Sequence, residues 1–224
     1  MQNPGSDAGV FLFGAYPPDF ASLHPGYKRF GVARMERSAV RDRLWPMVRY
    51  RRNVVPGGTF FFTVTLADRR ASVLVDHIGL LRSAFRHARG RLSFAIDAIV
   101  VLPDHLHAIL TLPPGDSDFS GRWKAIKATF TRSILATGST VTRDHRGEYL
   151  LWQRRFWERT IRDDRDFERC ANYIHFNPVK HRLASTPVAW PYSSLHRYVR
   201  AGILPCDWDG DGRVDTADFG ERAE

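Results

Sequence analysis

Residues 93–112 read SFAIDAIVVLPDHLHAILTL, and the fold is decided there. Two β-rich apolar runs, 93–101 and 105–112, are separated only by Leu102, Pro103 and Asp104, the spacing of an antiparallel hairpin. Alternation divides the second run into two faces. Leu106, Ala108, Leu110 and Leu112 form a wholly apolar row suited to packing under helices. His105, His107, Ile109 and Thr111 point the other way. Two imidazoles therefore stand side by side on the opposite face, about 7 Å apart along the strand. Asp104 reads as turn chemistry.

Working outward, TFFFTVTL (59–66) divides in the same manner. Phe60, Phe62, Val64 and Leu66 share one face, and Thr59, Phe61, Thr63 and Thr65 the other. Between these strands an apolar period near 3.6 over 76–89 predicts a helix, with Ile78, Leu81, Phe85 and Ala88 inward and Arg82, Arg86 and Arg89 on another face. After the hairpin, Trp123, Ile126, Phe130 and Ile134 mark a second amphipathic helix, opened by Arg122, Lys124 and Lys127. A polar connector, 138–147, precedes LLWQRRFWERTI (150–161), which predicts one further strand. Asp163 and Asp164 are N-cap candidates for a helix over 164–177 that Pro178 ends. The class is α+β, and the first six elements follow the split β-α-β-β-α-β order of a ferredoxin-like antiparallel sheet. That plan keeps helices on one face and leaves the other to a ligand, with a C-terminal helix added. RNA-recognition modules share the plan, so fold alone names no function.

Composition narrows the classes. The chain has 224 residues, 43% of them apolar, enough for a packed core. Of 33 basic residues 29 are arginine, and against 24 acidic residues they leave a net charge of +9. The charge is uneven: +2 over residues 1–46, +12 over 47–206 and −5 over 207–224. A middle segment this basic points to a polyanionic partner, with Arg82, Arg86, Lys124, Lys127, Arg154 and Arg155 as candidates for phosphate contacts. Two cysteines, Cys170 and Cys206, make neither a disulfide framework nor a four-ligand zinc site. No apolar run has the ~18 residues of a membrane span, and the start lacks a signal-peptide layout, so a soluble, cytoplasmic protein is expected. Residues 1–46, rich in Gly, Pro and Ser, read as a flexible leader. A single folded domain is expected over 47–206 and an acidic tail over 207–224. Met47 is an alternative start, and a chain beginning there is expected to fold and act like the full-length one. DWDGDGRVDTAD (207–218) matches a calcium loop at several positions. Its twelfth residue is Asp rather than the usual Glu and few residues follow, so calcium binding is not expected.

The helix before Pro178 carries the remaining chemistry. Phe167, Cys170, Ala171 and Ile174 form its core stripe, and Tyr173 and Asn177 lie together one turn apart on the flank. A phenol and an amide oxygen thus point to one place, near the histidine pair if the helix docks there. The alternative is a tyrosine packed at a helix edge and an asparagine closing the helix.

The motif HLH within VVLPDHLHAIL resembles the histidine-hydrophobic-histidine signature of the HUH single-strand endonucleases. YIHFNPVKH (173–181) is similar to the nucleophile helix of their single-tyrosine transposases. YRRNVVPGGTFFFTV, RWKAIKATF, WQRRFWERTI and WPYSSLHRYV extend the likeness over about 47–210, and the subgroup resembled is the REP-associated tyrosine transposases. One departure is Arg182, where glycine is expected after NPVKH. The resemblance implies that Tyr173 is a nucleophile leaving a 5′-phosphotyrosine, and that His105, His107 and Asn177 hold Mg²⁺ or Mn²⁺. It implies as substrate single-stranded DNA folded into palindromic REP-type hairpins, with no membrane and a monomer favoured over a dimer. His175 receives no role. Three other readings stand beside this one: a protein that binds REP palindromes without cutting, a transposase mobilising its own insertion sequence, and an RNA-binding module. The last would require stacking aromatics on the face that here carries histidines.

Overall fold

Strands with apolar side chains on both faces have to be covered on both sides, and that requirement organises the chain. The computed structural model describes residues 55–210 and 219–220. The expected leader (1–46) and most of the calcium-loop-like stretch lie outside them. The elements in order are β1 (Thr59–Thr65), α1 (Val73–Asp76), α2 (Ile78–Arg91), β2 (Ala95–Val101), β3 (His105–Thr111), α3 (Phe119–Ala136), β4 (Trp157–Thr160), α4 (Asp164–Lys180) and α5 (Leu195–Arg200). The sheet order is β2-β3-β1-β4 with every neighbour antiparallel, as the split β-α-β-β-α-β plan demands.

On the first face Phe60, Phe62, Val64 and Leu66 join Leu106, Ala108, Leu110 and Leu112 beneath α2 and α3. Phe85, Trp123, Ile126 and Phe130 complete this core, as the helical periods require. Asp118 caps α3, its carboxylate accepting from the Gly121 amide at 2.7 Å, and Asp163 caps α4 by accepting from the Asp166 amide at 2.8 Å.

The second face is not left open. Phe61, Ala98, Val100 and Ile109 are buried with Cys170, Ala171, Tyr173 and Ile174 of α4. The stripe on α4 was visible in the sequence. It packs on this face of the sheet. Covering the face removes the platform an RNA-recognition module needs, since Phe61 itself is fully buried.

Two further expectations need correcting. Residues 150–161 do not form one strand: only Trp157–Thr160 pairs with β1 at length, while Trp152 makes an isolated bridge with Leu66. Trp152 is buried in the first core and Phe156 packs against it, which turns the intervening chain away from the sheet edge. Nor does Pro178 end α4, which continues to Lys180 with Pro178 inside it. An interior proline costs roughly 3 kcal/mol, and here burial and a C-terminal lock oppose that cost. Leu183 N donates to Pro178 O at 2.8 Å and Arg182 N to Val179 O at 2.9 Å. These two bonds make a Schellman motif. It demands a left-handed residue, and Arg182 supplies it at φ +56°.

The segment after α4 seals the free edge of β2. Val101 N donates to Tyr192 O, Ile99 N to Ser194 Oγ, and Trp190 Nε1 to Val101 O. Helix α5, not evident as periodicity, adds Arg197 and Tyr198, both donating to the carbonyl of Asp97 at the β2 bulge. His175, fully buried between Tyr198 and Trp208, shares a hydrogen bond of 3.0 Å between its Nε2 and Ser194 Oγ, an oxygen that also accepts from Ile99 N. Its role is to join α4, α5 and β2.

Two stability measurements follow. Arg182→Gly relieves a left-handed conformation that costs a side-chain-bearing residue roughly 1 kcal/mol, and should raise the urea midpoint accordingly. For His175, burial first, then Arg197 and His196, lower the pKa from 6.5 to about 3. Between those values the unfolded chain binds a proton the folded chain refuses. The stability this group contributes is whole above pH 6.5 and is lost as pH falls toward 3, at up to about 1.4 kcal/mol per pH unit. His175→Gln should flatten that acid limb in unfolding curves taken at successive pH values.

Candidate active site

The β1–β3 register sets Thr63 opposite His107 and Thr65 opposite His105. Both histidines lie on the second face, as alternation predicts, but under α4 they are 1% and 0% exposed rather than open to solvent. Their ring centroids are 5.0 Å apart with planes at 84°.

Each ring has its tautomer set by a neighbour. His105 Nδ1 donates to Asp104 Oδ1 at 2.7 Å, and Asp104 Oδ2 takes Arg69 Nε at 2.6 Å. Burial alone would raise the Asp104 pKa. The hydrogen bond from His105 and the nearby Arg69 charge outweigh it and hold the carboxyl below its ordinary value. Thr63 Oγ1 donates to Phe219 O at 2.7 Å, so the same oxygen accepts from His107 Nδ1 at 2.9 Å. With hydrogen on Nδ1, each neutral imidazole carries its lone pair on Nε2. This assignment rests on the hydrogen-bond network. Two Nε2 atoms of the same character therefore arise from adjacent inward positions of one strand.

Helix α4 brings the rest. Tyr173 lies with its ring 5.2 Å from that of His107, and His181, two turns on, has its ring 5.1 Å from that of His105. The helix thus runs back along β3. Asn177, midway between them on the same helical line, is fully buried there. The Tyr173 hydroxyl accepts from Lys180 Nζ at 3.1 Å. Phe219 stacks on the Tyr173 ring at 3.8 Å and 11°, leaving the tyrosine 1% exposed. The Arg159 and Arg169 guanidinium carbons stand 5.9 and 5.8 Å from the Phe219 centroid, and both arginines pair with Asp166.

Among the described residues no cluster of three or more His, Cys, Asp or Glu side chains could hold a metal ion. A divalent ion here would therefore use the two imidazoles and an amide oxygen. That donor set fits, since both Nε2 lone pairs are fixed by their neighbours and imidazole and carbonyl-type oxygen are each ordinary ligands.

Of the basic candidates, Arg86, Lys124, Arg154 and Arg155 are exposed. Arg82 is half-buried beside Tyr192, and burial lowers its pKa, with Tyr192 opposing and Arg86 adding. Lys127 is half-buried. Its Nζ donates to Gln153 O at 2.9 Å and lies 5.7 and 5.6 Å from the rings of Trp152 and Phe156. Burial lowers its pKa to about 8, and its charge holds the 150–156 connector in place.

Sequence reasoning missed Asp104, Thr63, Lys180, His181 and Phe219. Alternation places Thr63 on the histidine face, and Asp104 directly precedes the pair, so both left a signal. Phe219 left none, because its partner Thr63 is 156 residues away. If Phe219 is what seals Tyr173, Phe219→Ala should speed nitration of Tyr173 by tetranitromethane several-fold, read by peptide mass mapping. An unchanged rate would assign the seal to Phe61 and Trp157.

Residues 61–177 match the family described as transposase IS200 like. A REP-associated tyrosine transposase of Escherichia coli is 43% identical over 176 residues, 79% of this chain and 98% of its own length. A Haemophilus influenzae protein provisionally given the same designation is 41% identical over 167 residues, 74% of this chain and 95% of its own. Among solved structures, a REP-associated tyrosine transposase bound to a REP hairpin superposes with a TM-score of 0.70 at 43% identity, covering 80% of this chain and 99% of that one. The chain belongs to the IS200-like transposases and, within them, to the REP-associated tyrosine transposases.

Proposed function

We propose that this protein cuts and rejoins single-stranded DNA at palindromic REP-type hairpins, with Tyr173 as the nucleophile. The observation that carries the reading is the placement of the Tyr173 ring against His107, in a histidine pair whose tautomers are set by Asp104 and Thr63. The solved relative bound to a REP hairpin supports the choice of substrate.

In the forward step the Tyr173 oxygen gives its proton to solvent and forms a bond to phosphorus. The bond from phosphorus to the 3′-oxygen breaks, and that oxygen takes a proton from water. The products are a 5′-phosphotyrosine and a 3′-hydroxyl. Because the linkage remains a phosphodiester, a 3′-hydroxyl reverses the step and rejoins strands. His105, His107 and Asn177 would hold Mg²⁺ or Mn²⁺, the two imidazoles favouring Mn²⁺, and the bound ion would supply charge neutralisation at the phosphate. Asp104 and Thr63 keep the imidazoles oriented. The exposed cations Arg86, Lys124, Arg154 and Arg155 supply salt-dependent attraction to the DNA backbone. The second reading, a hairpin binder that does not cut, draws its support from the sealed tyrosine.

The test is a labelled REP-type hairpin with Mn²⁺, run on a denaturing gel. The wild type is expected to give a covalent protein–DNA band. Tyr173→Phe should lower it by at least ~10³-fold with hairpin affinity unchanged. His107→Gln should also lose the band, and circular dichroism is needed alongside because the side chain is buried. Hairpin binding with no wild-type band would favour the second reading.

A further inference from the structure

We infer that Lys180 is a catalytic residue of this site, its ammonium serving as the hydrogen-bond donor that carries charge on the Tyr173 oxygen as the phosphotyrosine bond forms and breaks. The inference rests on the cleavage reading above and adds to it a group that touches the reacting atom. Lys180 Nζ lies 3.1 Å from the Tyr173 oxygen and 4.9 Å from the ring centroid. A lysine at the end of a helix has water within easy reach, and folding its stem back restricts a side chain with considerable rotamer freedom. Here the stem turns back toward a buried phenol two helical turns earlier.

That reach depends on the way α4 ends. A helix stopping at Pro178 would not carry Lys180 on the line of Tyr173. The helix continues, and the bonds of Arg182 and Leu183 to Val179 and Pro178 close its final turn. The left-handed Arg182 therefore lies two residues beyond the lysine and fixes the turn that presents it.

The chemistry gives the donor work in both directions. In cleavage the phenolic oxygen loses its proton to solvent and its electron pair goes to phosphorus. In rejoining, the 3′-oxygen forms the new bond to phosphorus, the P–O bond to Tyr173 breaks, and the pair returns to the phenolic oxygen. A fixed ammonium beside that oxygen stabilises the charge it bears in each transition state. The same transition state is crossed both ways, so losing the donor slows both reactions equally and leaves their ratio unchanged.

The experiment compares wild type, Lys180→Met, Lys180→Gln and Lys180→Arg in single-turnover formation of the covalent band and in rejoining by an added 3′-hydroxyl strand. Hairpin affinity and thermal midpoint are measured on the same samples. Both neutral variants are expected to slow both steps by about 10²-fold with adduct-to-rejoined ratio and hairpin affinity unchanged, and arginine to restore most of the rate. Wild-type rates in the neutral variants would overturn the inference. So would a loss that tracks hairpin affinity or stability, which would make Lys180 a DNA contact or a structural residue. A wild-type chain that binds the hairpin but forms no adduct overturns the cleavage reading itself, and that outcome is read before any variant is compared.

Discussion

Helix α4 can lie along β3 because small and flat side chains meet at the contact. Ala98, Val100, Ile109 and Phe61 on the sheet receive Cys170, Ala171 and Ile174 on the helix. Burying such side chains contributes about 25 cal/mol per Å² of apolar surface, which fixes the helix against the strand. Its polar residues then follow it in. Tyr173, His175 and Asn177 are all buried, and so are His105 and His107 on β3. The apolar half of the helix thus decides where the chemical half is presented.

Buried polar groups are costly unless each finds a partner, and the partners here double as orienting devices. The chain Ile99 N, Ser194 Oγ, His175 ties α4 to the edge of β2. The chain Phe219 O, Thr63 Oγ1, His107 Nδ1 ties the residue Phe219 to β1 and β3. A hydroxyl with one proton can donate once, so the bond Thr63 gives to Phe219 O fixes the direction of the one it shares with His107. Asp104, held by Arg69, sets His105 in the same way. Ring orientation in this site is therefore a property of the second layer of residues, some of them distant in sequence.

The sheet, its order and its first core were legible because alternation and the 3.6 period are local patterns. The residues of β1 and β3 sort onto the faces the pattern gives them. The histidine pair and Tyr173 were legible for the same reason. What the sequence hid was contact between distant segments. The stripe of Cys170, Ala171 and Ile174 was plain, yet nothing local says which surface it covers. Lys127 looked like a surface cation because its aromatic neighbours, Trp152 and Phe156, come from another element. Pro178 read as a stop, since the bonds that oppose its cost begin after it. At 182, where glycine is expected, arginine itself takes the left-handed conformation.

The basic middle segment deserves the same sorting by contact. Arg122 is buried and spends its guanidinium on Ser93 O, Asp116 and Asp118 O. Arg197 donates to main-chain carbonyls at the β2 bulge, Arg159 pairs with Asp166, and Lys127 anchors a loop. Four of the cations that make this segment strongly positive are thus structural, each satisfying groups that irregular backbone or a buried carboxylate would otherwise leave exposed to apolar surroundings. Net charge overstates the surface available to a phosphate backbone. Arg86, Lys124, Arg154 and Arg155, by contrast, are exposed, on α2, on α3 and in the connector before β4. None of them lies on β3 or α4, the elements that carry the histidines and Tyr173. Substitution of these four cations therefore leaves untouched the elements that carry the histidines and Tyr173.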